Sequence, residues 1–328
     1  MDKKTKNILS CVFWTLAAGV LLYLCFRKID WEDFWQALEQ CRWSYVFLSM
    51  ALGVLVFYIR GCRWRMLLLP MDPQISRLTC FNAYNICMAV NLAIPRAGEV
   101  VRLGYVVKNS SIGFDKALGT LLIERIWDVM VTLGMAAVLF LFKWEDFGKA
   151  LFGNGASIAI QSSVWWMLGG GLALVAAFVF IAWRHRVDEG FWGKVWHFIE
   201  GIGEGLQTFI HMKNAWLFLV ETALIWALYW LMSVCILWAV QDIEAFAGLT
   251  MADAFFLMIA GSISSVVPVP GGFGAYHAVV STVLKGVWGI KEEVAMIYAT
   301  LNHESQVLTQ AVSGLASYIY ESFFRPQK

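Results

Sequence analysis

Charged residues are scarce in this chain of 328 residues, at 15% of the sequence, against about 25% in an ordinary soluble domain. The 25 Lys and Arg residues nearly balance the 24 Asp and Glu residues, and this near-neutral charge gives no reason to expect a nucleic-acid partner. The seven cysteines form no CxxC pair, which argues against a zinc ribbon and a disulfide framework. A P-loop and a GxSxG motif are also lacking, so the sequence predicts no cofactor and no soluble nucleotide or serine hydrolase.

Long apolar runs fill most of the chain, which is 59% hydrophobic. About 20 apolar residues are enough to cross the hydrocarbon core of a bilayer. The sequence therefore predicts an all-α polytopic membrane protein with about six full transmembrane helices. They are expected at Ile8–Phe26, Ser44–Ile59, Leu118–Phe142, Ser162–Trp183, Ala215–Val240 and Val294–Tyr320.

Two further apolar segments are interrupted by proline and glycine, which end helices. Leu78–Ile94 stops before a proline and is followed by the short run Val100–Val107, while Phe255–Val267 is followed by Tyr276–Trp288. The residues that break the two segments are Pro95, Pro268, Pro270, Gly271, Gly272 and Gly274. Broken backbone at membrane depth is tolerated only inside protein or beside a water-filled cavity. The pattern thus predicts two re-entrant hairpins that line a polar cavity.

The basic residues predict the orientation of this arrangement. With the N-terminus inside, 17 of the 25 Lys and Arg residues fall on the cytoplasmic side, seven fall outside and Arg125 lies within a span. This bias satisfies the positive-inside rule and predicts cytoplasmic N- and C-termini in the plasma (inner) membrane. The two hairpins then enter from opposite sides, as in an inverted repeat. We expect one integral membrane domain over residues 1–328, with repeat halves 1–142 and 161–328.

Glu124, Arg125 and Asp128 interrupt the apolar run LLIERIWDVMV. Each charge costs about 2.5–3.5 kcal/mol at the centre of a bilayer, so this span must face protein or water. Three more charges follow the first break, at Arg96, Glu99 and Arg102. One interpretation is a head-group site in which arginines hold phosphate oxygens. The other is a network of salt bridges that supports a broken helix.

Arg60, Arg63 and Arg65 lie at the inner end of the second predicted span, in YIRGCRWRMLLL. Arginines at such an end commonly anchor the helix at the membrane surface. A further interpretation is that they steer a phosphate head group toward the cavity.

A second polar group combines His277, in the second broken segment, with the run NHESQ at Asn302–Gln306. His277, His303 and Glu304 are possible zinc ligands by residue type. They are dispersed and form no HExxH motif, so the sequence predicts no metal site. Two alternatives stay open: histidines that titrate in a transport path, and a packed, hydrogen-bonded His303.

The stretches RGCRWRMLL, NLAIPRAGEVVR, ERIWD and PVPGGFGAYH resemble the flippase-like membrane domain of lysylphosphatidylglycerol synthases and its stand-alone relatives. The resemblance covers nearly the whole chain and implies a domain that moves a lipid between leaflets. It places the charges around Arg96 and Glu124 on the family's charged motifs. It also implies a departure, because many members have glutamate where this chain has His277. The resemblance is to the membrane domain alone, so we expect no synthesis of lysyl lipid.

These observations predict a lipid flippase or scramblase that carries a phospholipid or isoprenoid-linked head group through a polar intramembrane cavity. We expect a transporter and not an enzyme, with membrane lipids as its partners. The alternatives are an intramembrane enzyme that acts on lipid head groups and a non-transporting scaffold for a partner synthase or glycosyltransferase.

Overall fold

The computed structural model describes residues 31–142, 214–265 and 269–324, together with Val267 and scattered residues in 16–29 and 178–196. These residues are mainly helical, and none of them forms a β-strand. Most of the predicted spans Ile8–Phe26 and Ser162–Trp183 lie outside the described residues, as does Pro268.

Nine α-helices lie in the three continuous ranges. They are α1 (Trp31–Glu39), α2 (Trp43–Leu68), α3 (Arg77–Ala93), α4 (Ala97–Asn109), α5 (Phe114–Phe142), α6 (Ala215–Ala239), α7 (Met251–Ser264), α8 (Ala275–Trp288) and α9 (Glu292–Ile319). Single 3₁₀ turns occur at Glu244–Phe246 and Pro270–Gly272, and α9 continues into a π turn at Tyr320–Phe324.

The helices α2 and α6 are long and apolar enough to cross a membrane. They contain 26 and 25 residues, which at 1.5 Å per residue exceeds the hydrocarbon thickness of about 30 Å. The helices α5 and α9 are longer still, with 29 and 28 residues, but both carry polar or charged side chains near their centres. The described helices are consistent with a helical membrane protein in which some long helices are not uniformly apolar.

Two pairs of short helices match the interrupted segments of the sequence. The helices α3, α4, α7 and α8 have 17, 13, 14 and 14 residues, so each is shorter than the roughly 20 residues that a membrane crossing needs. The helix α3 packs against α4, and α7 packs against α8. Helices therefore end and begin again in both interrupted segments, whereas the position of the two pairs in a bilayer stays a prediction.

The first break joins α3 to α4 through a sharp turn at Pro95 and Arg96. Arg96 has a φ of 63°, a left-handed conformation that is uncommon for a residue with a side chain. Asn91 stabilises the turn, because its Oδ1 accepts a hydrogen bond of 2.9 Å from the Gly98 backbone N–H. A Cβ atom on Gly98 would overlap the carbonyl oxygen of Cys87, so only glycine allows the two helices to approach this closely.

The second break joins α7 to α8 through the Pro270–Gly272 turn. Gly271, Gly272 and Gly274 have φ values of 58°, 78° and 76°, which glycine adopts at little cost. The turn contacts α3, and Leu92, near the end of α3, lies beside Gly271. The two breaks therefore meet, although about 175 residues separate them along the chain.

The helix α9 packs against α2, α3 and α8. Its polar contacts with α3 form a seam, which we define by Asn82, Asn85, Ser317 and Glu321. Asn82 donates to Glu321 Oε1 at 2.8 Å and accepts from the Ser317 hydroxyl at 3.1 Å. The same hydroxyl accepts a 2.9 Å bond from Asn85. The amides of Asn82 and Asn85 are thus bonded to α9 and buried between the two helices.

The chain forms two compact units. The first combines residues 1–121 with residues 218–328, and the second contains residues 122–217. Both breaks, the polar seam, His277 and His303 lie in the first unit, whereas Glu124, Arg125 and Asp128 lie in the second. The repeat halves 1–142 and 161–328 stay a prediction.

Candidate functional site

The first unit buries an arginine on the helix that follows the first break. Arg102 is 0% exposed, and its guanidinium lies 3.8 Å from the ring centroid of Trp64 and 5.2 Å from that of Tyr84. Trp64 is held in place by a 3.1 Å hydrogen bond from its Nε1 to the hydroxyl of Thr120. This contact between a guanidinium and an indole face is a cation–π interaction in a desolvated position.

Two further arginines, from α2, are buried beside the same aromatic side chains. Arg60 lies 5.9 Å from the Tyr84 ring centroid and donates a 2.9 Å hydrogen bond to the hydroxyl of Tyr229. Arg63 lies 5.3 Å from the ring centroid of Phe218 and donates to the Thr222 hydroxyl at 3.2 Å. We define the arginine–aromatic cluster as Arg60, Arg63, Arg102, Trp64, Tyr84, Phe218 and Tyr229.

Two of the three arginines at the end of α2 are buried inside the first unit, while their role in anchoring the helix or steering a head group stays a prediction. Arg60 and Arg63 are 6% and 0% exposed, so neither extends into water. Arg65 behaves differently, because its Nε donates a 2.6 Å hydrogen bond to the Ile75 carbonyl and so fixes the loop before α3. Planar, weakly hydrated guanidinium groups stacked on aromatic rings suit the recognition of phosphate and other anions.

The other two charges near the first break lie at the start of α4. Arg96 is exposed and begins α4, and Glu99 is half-buried in the first turn of that helix. Glu99 and Arg102 are three residues apart and therefore share one face of α4. The three predicted charges thus extend from an exposed arginine at the break to a fully buried arginine about 1.7 helical turns later.

In the second unit, α5 holds the predicted intramembrane charges. Glu124 is 0% and Asp128 is 9% exposed, while Arg125 is half-buried. The i,i+4 spacing places both carboxylates on one face of α5. Two buried carboxylates thus lie on one face of a long, largely apolar helix, and their role stays a prediction.

The second break brings together three residues that the sequence left dispersed. His303 Nδ1 lies 2.9 Å and His277 Nε2 lies 3.6 Å from Glu304 Oε1. The other ring nitrogen of His303 lies 2.9 Å from the Gly271 carbonyl oxygen. We call these three residues the histidine group, and their geometry makes them possible ligands of a metal ion.

The remaining polar residues of NHESQ have packing roles. Asn302 donates a 2.6 Å hydrogen bond to the Tyr276 hydroxyl, and Gln306 donates to the Ser49 hydroxyl at 3.3 Å. Ser305 bonds to the Asn302 carbonyl one turn before it, at 3.2 Å. Only His303 and Glu304 of this run therefore contribute to the histidine group.

A family model described as the lysylphosphatidylglycerol synthase TM region matches residues 7–314. The chain belongs to this family. The match includes the arginine–aromatic cluster, the charged stretch of α5 and the histidine group, and it confirms the resemblance drawn from the motifs.

One curated relative of this family member is the glycosyltransferase AglD of Haloferax volcanii. The two chains are 24% identical over 340 aligned positions, which cover 93% of this chain and 54% of AglD. The chain thus spans about half the length of that relative. No solved structure shows significant similarity to the present chain.

The aromatic partners of the arginines were missed by the sequence analysis. A signal for one of them was present, because Trp64 stands between Arg63 and Arg65 in RGCRWRMLL. Tyr84 and Phe218 come from other helices, and no local pattern connects them to these arginines.

Proposed function

We propose that this family member moves a lipid between the leaflets of the plasma membrane as a flippase or scramblase. The observation that carries the proposal is the arginine–aromatic cluster, which buries three guanidinium groups, one of them on the helix that follows the first break. Phosphate is the anionic group that most lipid head groups share, and bidentate arginine contacts hold it well. The cluster therefore suits a phospholipid or an isoprenoid-linked phosphate.

The two pairs of short helices complete the proposed path. In this proposal, α3–α4 and α7–α8 are re-entrant hairpins that enter from opposite sides, among about six full spans and with both termini in the cytoplasm. The contact between the two breaks supports such an arrangement, because opposed hairpins meet at the membrane midplane. The head group passes along the polar interior while the acyl or isoprenoid tails stay in lipid.

The charged stretch of α5 supplies a second polar element in the proposal. Glu124 and Asp128 accept hydrogen bonds from hydroxyl or amine groups of the head group, and Arg125 contributes a positive charge. No ATP-binding motif occurs in the sequence, so we propose that transport is either downhill or coupled to an ion.

The similarity to a protein named a glycosyltransferase favours a second candidate, a membrane partner for an enzyme that modifies lipids. In that case the chain binds the lipid and presents it to the enzyme without moving it across the membrane. Co-purification of such an enzyme, together with an absence of lipid movement, would support this candidate.

The test is a translocation assay in proteoliposomes that contain fluorescent anionic, zwitterionic or isoprenoid-phosphate lipids. We compare the wild type with Glu124→Gln, which removes the charge of a buried carboxylate and keeps its size. We expect translocation of at least one lipid class by the wild type and a loss of tenfold or more in the variant.

The matched control is Arg42→Gln. Arg42 lies outside both charged groups and pairs with Asp242 at an exposed position, with bonds of 2.6 and 2.5 Å. Exposed ion pairs contribute little to stability, so this variant should fold and retain wild-type translocation. Equal rates in the wild type and Glu124→Gln would refute the role of Glu124, and no translocation of any lipid would refute transport. New lipid products on thin-layer chromatography would indicate an enzyme.

A further inference from the structure

We infer that the histidine group binds one divalent transition-metal ion of the zinc type, through His277 Nε2, His303 Nδ1 and Glu304 Oε1. The inference rests on the geometry at the second break and does not depend on lipid transport. It reverses the expectation from the sequence, in which the same three residues were too dispersed to form a site.

The tautomer of His303 is the first argument. A backbone carbonyl can only accept a hydrogen bond, so the 2.9 Å contact with the Gly271 oxygen requires a proton on His303 Nε2. In the neutral ring, Nδ1 then carries a lone pair, and that lone pair faces a Glu304 carboxylate oxygen at 2.9 Å. Two acceptors at this distance repel each other unless a cation lies between them.

The contact with Gly271 is also the arrangement that metal-binding histidines use. Such a histidine almost always donates its second N–H to a carbonyl or carboxylate, which fixes the ring and directs the other nitrogen to the ion. Here the carbonyl belongs to the Pro270–Gly272 turn, whose positive φ values orient it toward α9.

His277 supplies the second argument, because its surroundings distinguish a bound metal ion from a proton shared by His303 and Glu304. Its side chain is buried, and neither ring nitrogen has a hydrogen-bond partner among the residues that the structure describes. Buried polar groups are nearly always satisfied. A proton shared by His303 and Glu304 would leave His277 unsatisfied, whereas a metal ion at this position would be a partner for all three side chains.

The distances suit a zinc-type ion. One possible ligand atom from each of the three residues lies within 4.8 Å of the other two, and two ligands of a tetrahedral zinc ion lie about 3.4 Å apart. The distances of 2.9 and 3.6 Å from Glu304 Oε1 to the two imidazole nitrogens lie on either side of this value. The distance between the two imidazole nitrogens then needs a contraction of at most about 1.4 Å. The Glu304 side chain is 40% exposed, so water or an anionic group can reach the fourth position. Two imidazole nitrogens and one carboxylate oxygen are a donor set that zinc accepts readily.

The bound ion would join α8 to α9 and, through the Gly271 carbonyl, hold the second break against both helices. Its expected effect is therefore on the stability of the broken segment as well as on any ligand that reaches the fourth position.

The test is a titration of the purified full-length protein with Zn²⁺ after removal of metals by a chelator. We expect binding of one ion per chain by calorimetry and retention of one zinc after dialysis, measured by elemental analysis. His277→Ala, His303→Ala and Glu304→Gln should each weaken binding by at least tenfold.

The control for these variants is Glu292→Gln, which removes a carboxylate from the same helix at an exposed position. Glu292 pairs with Lys285 at 3.1 Å and is remote from the histidine group in sequence and environment. Zn²⁺ should raise the melting temperatures of the wild type and of Glu292→Gln, but not that of Glu304→Gln. Glutamine is close in size to glutamate, so the Glu304→Gln variant should fold. Absence of one-to-one binding by the folded wild type, or equal binding by the three ligand variants, would overturn the inference.

Discussion

Replacement of Arg102 by lysine tests whether the arginine–aromatic cluster binds a phosphate group. The substitution keeps the positive charge and removes the planar guanidinium that lies 3.8 Å from the Trp64 ring centroid. We expect a marked loss of lipid translocation, because an ammonium group provides neither the stacking nor the two parallel donors of arginine.

The expected size follows from the hydrogen bond to the phosphate that is lost. One charge-assisted hydrogen bond contributes about 1.5–3 kcal/mol, and lysine has no second, parallel donor to replace it. The contact with Trp64 forms with or without lipid, so it affects the stability of the protein and not the binding of the head group. Since 1.4 kcal/mol corresponds to a factor of ten, translocation at subsaturating lipid should fall roughly 10- to 150-fold.

The assay measures initial rates of translocation in proteoliposomes at several lipid concentrations, normalised to folded protein by gel filtration. Arg42→Lys is the control, because it makes the same chemical change at an exposed position outside the cluster. Wild-type translocation by Arg102→Lys would refute the assignment of Arg102 as a ligand of the head group. A fall in stability alone, with unchanged translocation per folded molecule, would assign the cluster a purely structural role.

Three further predictions concern the breaks and the first loop. Arg96→Gly should raise the melting temperature slightly, since it relieves a left-handed conformation that costs about 1–2 kcal/mol, and it should reduce translocation if the exposed guanidinium contacts the lipid. Gly98→Ala should destabilise the protein by about 1–3 kcal/mol, because the added methyl group meets the Cys87 carbonyl oxygen. The control is Gly104→Ala on the same helix, whose methyl group meets nothing within 4 Å and which should be neutral or stabilising. Equal melting temperatures of the two variants would contradict the close packing of α3 and α4. Burial raises the pKa of Cys41 to about 11. In a variant that keeps only this cysteine, labelling by maleimide at pH 8 should therefore be roughly 200-fold slower in the folded protein than in denaturant, and it should accelerate as the pH approaches that pKa. Equal labelling rates in the folded and denatured protein would show that the thiol is exposed.

The sequence predicted the broken helices well because their causes are local. Proline and glycine end helices wherever they occur, so the ends of α3 and the start of α8 fall within one residue of the expected positions. The long runs were equally clear, and α6 ends one residue before the predicted Val240.

The side-chain environments could not be predicted in the same way. The sequence pattern placed Arg60 and Arg63 at the inner end of a span, but it gave no sign that aromatic rings from α3 and α6 lie beside them. The histidine group depends on a turn that brings a carbonyl from residue 271 to a ring at residue 303. Both environments arise from contacts between helices, which no local pattern of residue types encodes.

The polar seam between α3 and α9 has a consequence for the biosynthesis of the protein. Asn82 and Asn85 bond to Ser317 and Glu321, which are 232 to 239 positions later in the chain. At about 5–20 residues per second, a ribosome needs roughly 12 to 48 seconds to add these partners after α3 has been made. During that interval the amides of α3 must remain near water or bind a chaperone, because lipid would leave them unsatisfied. A nascent chain stalled before α9 should therefore be a substrate for membrane proteases, while the completed chain should resist them.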